Sequence, residues 1–198
     1  NVRAQDGASG AFVADVINTL GVAGVGEAVQ DEVYQLYLRT LPEANMNGAR
    51  CAGQECPFFL KNFNDANVTS GGWSQLSDNN VLWTTNTIGA LDGPYGQIKN
   101  YANGVNTPCE TWLISPAIDL TSLTTPNLTF YSGCNYTGAA LTAWVSTDYV
   151  SGAPSTGTWS QLPAVVSPGS WTWTSSGVLS LAAFNTDHTR IAFKYTGT

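Results

Sequence analysis

The sequence predicts an all-β protein, a jelly-roll-type β-sandwich with an N-terminal extension of partly helical structure. From about residue 57 onward, short runs rich in Thr, Val and aromatic residues alternate with clusters of Gly, Pro, Asn and Asp. Charged residues are only 11% of the 198, against about 25% in an average globular domain, while seven Trp and eight Tyr supply apolar surface. This composition is typical of secreted all-β proteins, and the length fits one domain with an appendage.

The first 56 residues differ from the rest and are predicted to be an extension or the remnant of a preceding segment. Residues 1–50 contain no Trp or Cys and are rich in Ala and Val. The spacing of Val13, Val16, Ile17 and Leu20 favours a helix. Residues 33–38 fit a second helix or a strand equally well, and both alternatives stay open.

Charge and hydropathy exclude two classes of partner. The net charge of −7 and the pI of about 4.3 argue against nucleic acid and anionic membranes, which both need clustered Lys and Arg. The most apolar long window, residues 11–29, contains Asp15, Asn18 and Glu27, so no transmembrane segment is predicted. The chain does not begin with Met, which predicts a removed presequence or a fragment.

Nine candidate strands follow in the second part of the chain, and their number and spacing predict a sandwich over residues 57–198. They cover residues 58–63, 81–88, 96–101, 110–118, 127–133, 140–146, 158–165, 178–182 and 189–196.

The four cysteines predict two disulfides and therefore an oxidising compartment. If residues 110–118 and 127–134 form an antiparallel hairpin, Cys109 faces Cys134, and the same register pairs Trp112 with Tyr131. Cys51 and Cys56 would then close the loop CAGQEC. The alternative is four buried thiols.

Several segments, in order, resemble the choice-of-anchor J domain, which is similar to the cleaved-adhesin and MAM-type jelly rolls of secreted bacterial surface proteins. The segments are FFLKNFND, GGWSQLSDNNVLWTT, ETWLISPAIDLT, NLTFYSG, ALTAWVSTDY, WTSSGVLSL and RIAFKYTGT. The resemblance covers residues 57–198 and implies a closing strand after Thr198. Without that strand, a sheet would show an open edge of unpaired N–H and C=O groups. Truncation, coverage by residues 1–50 and strand insertion from a partner, giving a filament, are the three explanations weighed.

Oxygen-bearing side chains near the first candidate strand suggest structural calcium. Asn64, Asp65 and Asn67 follow that strand, and Glu110 precedes the WLISP strand. The resemblance implies a metal site at such positions. The alternative is that these are solvated turn residues.

Catalytic chemistry has little support in the sequence, so no enzyme is predicted. His188, the only histidine, stands in a turn without a Gly-x-Ser-x-Gly motif. Tyr149, Trp159 and Trp171 are the candidate ligand-binding residues. Tyr149 and Trp159 flank loops rich in Gly and Ser. Trp171 and Trp173 would share one face of a strand, which either lines the core or forms a stacking platform for sugars.

The function predicted is therefore a non-catalytic extracellular adhesion or assembly module of a bacterial surface protein, making protein–protein contacts. A carbohydrate-binding module and an accessory domain of a secreted hydrolase are the alternatives. The expected partners are a surface protein or a glycan, with self-assembly through an open sheet edge as a further option.

Overall fold

The computed structural model describes residues 59–91, 93–135 and 140–198, together with the backbone of residues 50, 51, 54 and 55. Phe63–Thr198 form a compact unit. The predictions for residues 1–50 and for a Cys51–Cys56 disulfide lie outside the described part of the chain. The predicted domain boundary after residue 56 stays a prediction.

Fifteen strands are found in the described residues. They are β1 (Arg50–Cys51), β2 (Gln54–Glu55), β3 (Ser74–Ser77), β4 (Thr84–Asn86), β5 (Tyr95–Gln97), β6 (Tyr101–Ala102), β7 (Val105–Asn106), β8 (Cys109–Ile114), β9 (Asn127–Leu128), β10 (Tyr131–Ser132), β11 (Thr142–Ser146), β12 (Ser160–Leu162), β13 (Thr174–Ser175), β14 (Leu179–Ser180) and β15 (Arg190–Gly197). Short 3-10 turns span Ser70–Gly72, Pro154–Thr156 and Ala182–Phe184. All paired strands are antiparallel, which confirms the predicted all-β class. β1 and β2 pair with each other and belong to the segment before Phe63.

A five-stranded sheet in the order β12-β11-β15-β8-β3 is the largest element of the unit. Successive side chains of a strand point to opposite faces, so the central strands place one set of apolar residues on each face of the sheet. One face carries Leu113, Val145 and Ile191, and the other carries Ile114 and Ala192, all of them buried. The middle of this sheet is therefore covered on both sides.

A second layer covers the first of these faces. β9 pairs with β14 and β10 pairs with β13, and the two short ladders form one longer ribbon. Between them, Gly177 and Val178 stand opposite the single residue Thr129, and Gly177 has a φ of 72°. This is a β-bulge with a left-handed glycine, which bends the ribbon without ending it. The ribbon and sheet share a core of Ile118, Leu120, Ala143, Val145, Leu162, Leu179, Leu181 and Ile191.

The β4–β5 hairpin extends the second layer over the other end of the same face. Trp83, immediately before β4, is buried with Val68, Trp73 and Leu113. Phe193 of β15 stacks on Trp73 with 6.3 Å between the ring centroids, and it meets Phe130 of the β9–β10 ribbon edge-to-face at 4.9 Å. The two layers are thus held together by aromatic as well as aliphatic contacts, and the protein is a β-sandwich.

The predicted hairpin between residues 110–118 and 127–134 is wrong. β8 pairs with β15 on one side and with β3 on the other, and β10 pairs with β13 in the opposite layer. Cys109 faces Gly197, and Cys109 and Cys134 form no disulfide with each other. The prediction failed because it paired neighbours in sequence, whereas the apolar faces of these strands select partners far along the chain.

β15 is hydrogen-bonded to β11 and to β8, so it lies inside the sheet with both of its edges paired. The open sheet edge expected from a missing closing strand, with its three explanations, stays a prediction. The sheet edges are β3 and β12. Along β3, the returning chain donates the Val81 N–H to Ser77 Oγ and the Trp83 N–H to Gln75 Oε1. β12 has only three residues and is followed by Pro163. A short strand, a proline and a covered edge all oppose pairing with another chain.

Candidate functional site

Tyr149 and Trp159, two of the predicted ligand-binding residues, lie together on the five-stranded sheet. They pack on the face that carries Trp112, Ile114 and Ala192. The rings of Tyr149 and Trp159 are 5.1 Å apart, and the Trp159 indole N–H donates to the Pro154 carbonyl. Tyr149 is only 4% exposed and so presents little surface to a ligand, and its role as a ligand contact stays a prediction.

A glycine explains how Tyr149 comes to be buried beside a surface loop. Gly157 is so close that a Cβ there would lie 2.5 Å from the Tyr149 Cβ and 2.8 Å from its Cα. Arg190 donates from Nε to the Tyr149 carbonyl and places its guanidinium 5.7 Å from the ring centroid. Burial raises the pKa of the Tyr149 phenol. The loop over this face is therefore anchored through Tyr149.

A carboxylate next to Tyr149 joins the two ends of the same loop. Asp148 Oδ1 accepts hydrogen bonds from the Thr158 N–H and the Ser146 hydroxyl. These bonds, the one from the Thr158 backbone first, lower the pKa of Asp148. The arrangement is a structural turn.

Glu110, predicted as a calcium ligand, is bonded to side chains of the sheet. One carboxylate oxygen lies 2.8 Å from Lys194 Nζ, and the other accepts the Trp112 indole N–H at 2.8 Å. Lys194 in turn lies 5.1 Å from the centre of Trp112 and 5.9 Å from that of Trp144. The hydrogen bonds from Lys194 and then Trp112 lower the pKa of Glu110 despite partial burial.

The other predicted calcium ligands shape a loop of their own. Asp65 Oδ1 accepts the Asn67 N–H, and Asn67 Oδ1 accepts the N–H and the hydroxyl of Thr69. These are successive Asx turns, in which a side chain imitates a backbone turn. Asn64 lies near Gly93, across the loop. Within the described residues, no three His, Cys, Asp or Glu side chains group closely enough to hold a metal. Calcium at Asn64, Asp65, Asn67 and Glu110 stays a prediction.

Trp171, the third predicted ligand-binding residue, lies in the second layer, away from the Tyr149–Trp159 pair. It is 53% exposed, and Tyr131 on β10 is 43% exposed. Trp173 contacts Tyr95 edge-to-face at 5.3 Å and lies flat against Gly133, where a Cβ would come within 3.2 Å of the ring. We call Tyr95, Tyr131, Trp171 and Trp173 the aromatic surface.

Hydrogen bonds from three segments hold the aromatic surface in place. The Trp171 N–H donates to the Cys134 carbonyl at the end of β10, and the Trp173 indole N–H donates to Gly89 before β5. Ser167 Oγ accepts the Cys134 N–H and donates to the Thr172 carbonyl. The rings therefore stand on a framework that is bonded on several sides.

The turn that carries Trp171 has an unusual backbone. The Thr172 N–H bonds to the Gly169 carbonyl, and the two central residues, Ser170 and Trp171, have φ values of 55° and 56°. Two positive φ values define a type I′ turn, which favours Asn-Gly. The left-handed conformation costs about 1–2 kcal/mol for each ordinary L-residue. Ser and Trp thus occupy positions where the backbone prefers other residues.

His188 lies in an exposed turn, and its ring contacts the Asp187 carboxylate. Both side chains are exposed. None of the contacts described for this pair involves a serine hydroxyl or a cysteine thiol that could serve as a nucleophile.

Sequence reasoning missed Tyr95 and Tyr131 as members of the aromatic surface. A weak signal exists, because Tyr131 and Gly133 share one strand face and a glycine in a strand often marks a close approach. The sequence does not show that the approaching group is Trp173.

No protein-family model matches the chain, and no curated protein matches it. Among solved structures, it is similar to the K1 cleaved adhesin domain of Lys-gingipain from Porphyromonas gingivalis. That similarity covers 70% of this chain and 88% of the adhesin domain, with 16% identity and a TM-score of 0.48. It is too low to assign a family or a function. No helix in the described part of the chain has the length and apolarity needed to cross a bilayer.

Proposed function

We propose that Phe63–Thr198 is a non-catalytic, extracellular binding module that attaches its parent protein to a surface through the aromatic surface. The observation that carries this proposal is the exposed pair Trp171 and Tyr131, held on a hydrogen-bonded framework. Exposed aromatic side chains on rigid supports supply large contact area at low cost in conformational entropy.

The carboxylates of the unit support the non-catalytic part of the proposal. Asp65, Asp119 and Asp148 each accept hydrogen bonds that close local turns, and Glu110 pairs with Lys194. Carboxylates that are held by hydrogen bonds and an ion pair within the fold are poorly placed for acid–base catalysis.

The composition and the sheet edges support attachment through side chains. A net charge of −7 with few charged residues suits a soluble extracellular module. Because β15 is central and the edges β3 and β12 are covered or short, strand addition is disfavoured. The module would therefore bind through its surface, with a surface protein or a glycan as the partner.

The experiment is a binding measurement with the whole chain displayed on beads, against one panel of purified extracellular proteins and one of printed glycans. The wild type is expected to bind at least one component, and Trp171→Ala and Tyr131→Ala each to weaken that binding about tenfold, as about 1.4 kcal/mol requires. Val150→Ser, which removes an exposed apolar side chain elsewhere, is the control. Binding to neither panel, or equal binding by Trp171→Ala, would contradict the proposal.

A further inference from the structure

The turn at Gly169–Thr172 carries a large aromatic residue in a backbone conformation that such residues disfavour. Trp171 follows Ser170 in the left-handed region, where Gly or Asn would fit with less strain. Strain of this kind persists where the surroundings enforce it, and it concentrates at ligand-contacting sites. Here two backbone hydrogen bonds, from Trp171 to Cys134 and from Thr172 to Gly169, hold the Trp171 backbone in this conformation.

The surroundings of Trp171 are free of charge along both neighbouring segments. Residues 127–135 and 165–176 contain no Asp, Glu, Lys, Arg or His, and they are rich in Ser and Thr. Ser170, Thr172 and Ser175 are exposed. A ligand that contacts these two segments meets aromatic faces and hydroxyl groups, which suits a neutral polyol.

The exposed area of the two rings suffices for a sugar, whereas it would be only a part of a protein interface. An aromatic side chain presents about 150–250 Å², so Trp171 and Tyr131, 53% and 43% exposed, offer roughly 200 Å² together. A stable protein–protein interface needs about 800 Å² on each partner. A short oligosaccharide needs far less, because its C–H face can stack on a single ring whose face carries negative charge density.

We propose that the ligand of the aromatic surface is a neutral oligosaccharide and that Trp171 is its stacking residue. The inference rests on the proposed function of the same surface and narrows its partner to one chemical class. Exposed Tyr131 on the adjoining strand and the exposed residues Ser170 and Thr172, the sequence neighbours of Trp171, are the candidates for further contact.

The binding test uses the whole chain and a printed panel of neutral oligosaccharides (glucan, mannan, galactan and N-acetylglucosamine oligomers) beside sialylated and uronic-acid glycans and purified extracellular proteins. Binding to at least one neutral oligosaccharide is expected. Trp171→Ala should weaken it at least tenfold, and Trp171→Tyr should retain most of it, because a smaller ring still stacks. Val150→Ser should bind as the wild type does.

The outcomes separate this inference from the proposed function. Binding to a protein alone, lost in Trp171→Ala, would overturn the sugar ligand and leave the attachment role standing. Binding to acidic glycans only, or to neutral glycans without dependence on Trp171, would also overturn the inference. Binding to nothing on either panel would overturn both.

A stability measurement tests the strained turn separately. Trp171→Gly should melt about 2–4 °C above Trp171→Ala, because glycine adopts the left-handed region without penalty, and it should weaken sugar binding as Trp171→Ala does. Trp171→Ala keeps the backbone penalty and should not gain this stability. A melting temperature for Trp171→Gly no higher than that for Trp171→Ala would contradict the strained backbone, and a melting temperature for Trp171→Ala far below that of the wild type would show that the ring stabilises the fold; either result would overturn the assignment of Trp171 as a strained ligand contact.

Discussion

Replacing Gly157 by alanine tests how the loop over the five-stranded sheet is anchored. The backbone of Gly157 is extended, with φ of −123° and ψ of 164°, so alanine meets no conformational penalty there. Its Cβ would however lie 2.5 Å from the Tyr149 Cβ and 2.8 Å from the Tyr149 Cα. Either the loop or β11 must shift, because the obstacle includes backbone.

The size of the effect follows from overpacking, which costs typically about 1–3 kcal/mol. For a chain of this size, each kcal/mol lowers the melting temperature by about 2–4 °C, so Gly157→Ala should melt roughly 2–12 °C below the wild type. Thermal and urea unfolding, followed by circular dichroism, measure the loss. The tryptophan signal near Tyr149 should change as well, since Trp159 packs on that ring.

Gly152 supplies the matched control in the same loop. Its φ is 88°, and a Cβ there would meet nothing within 4 Å. Gly152→Ala should therefore destabilise through the backbone alone, and Gly152→Asn should recover part of the loss, because Asn tolerates the left-handed region. Gly157→Asn should recover nothing. An unchanged urea midpoint for Gly157→Ala would refute the steric account of the Tyr149 anchor.

Three further changes test other parts of the structure. Glu110→Gln should remove the stability that ionised Glu110 contributes above the unfolded-state pKa of about 4.3. Because the folded-state pKa of Glu110 is lowered, the free energy of unfolding of the wild type should fall by up to about 1 kcal/mol more than that of this variant between pH 6 and pH 3, a modest value for a half-exposed pair. If urea unfolding shows the same loss of stability in both proteins over this pH range, the role of Lys194 is contradicted. In a variant without Cys51 and Cys56, Cys134 should react with a thiol reagent in the native state, and Cys109, which is buried, should react only after unfolding. If neither thiol reacts in denaturant without reductant, the two cysteines are crosslinked. If calcium binds as predicted from the sequence, chelation should lower the melting temperature of the wild type and leave Asp65→Ala unchanged; identical melts of the wild type with and without chelator would count against a site.

The strands on which the sequence was most informative are those with a continuous apolar signal. CETWLI and RIAFKYTG were both predicted within one residue at their first position, because alternation and β-branched residues reflect local preference and burial. The segment at 58–63 failed as a strand in its described part, residues 59–63. β3 and β13, with Ser-rich sequences, were missed because their pairing depends on partners that the local pattern does not reveal.

The predicted binding residues divide for a related reason. The sequence placed Tyr149 and Trp159 beside loops rich in small residues and Trp171 on a strand face, and it did not separate buried from exposed rings among them. The structure buries Tyr149, because Gly157 leaves room for its main chain and side chain. It exposes Trp171, because a hydrogen-bonded turn with two positive φ values directs the chain there. The residues adjacent in sequence to Tyr149 and Trp171 reveal neither the space beside Gly157 nor the conformation of the turn.

The sequence by itself determined the all-β class and the low charge, since these follow from composition and from period-two alternation. Only the tertiary structure decided that β8 lies between β15 and β3, that Cys109 faces Gly197 and that Trp171 stands exposed beside β10. Strand pairing and exposure depend on which surfaces far apart in the chain exclude water from one another. That free energy belongs to pairs of segments and cannot be read from either segment alone.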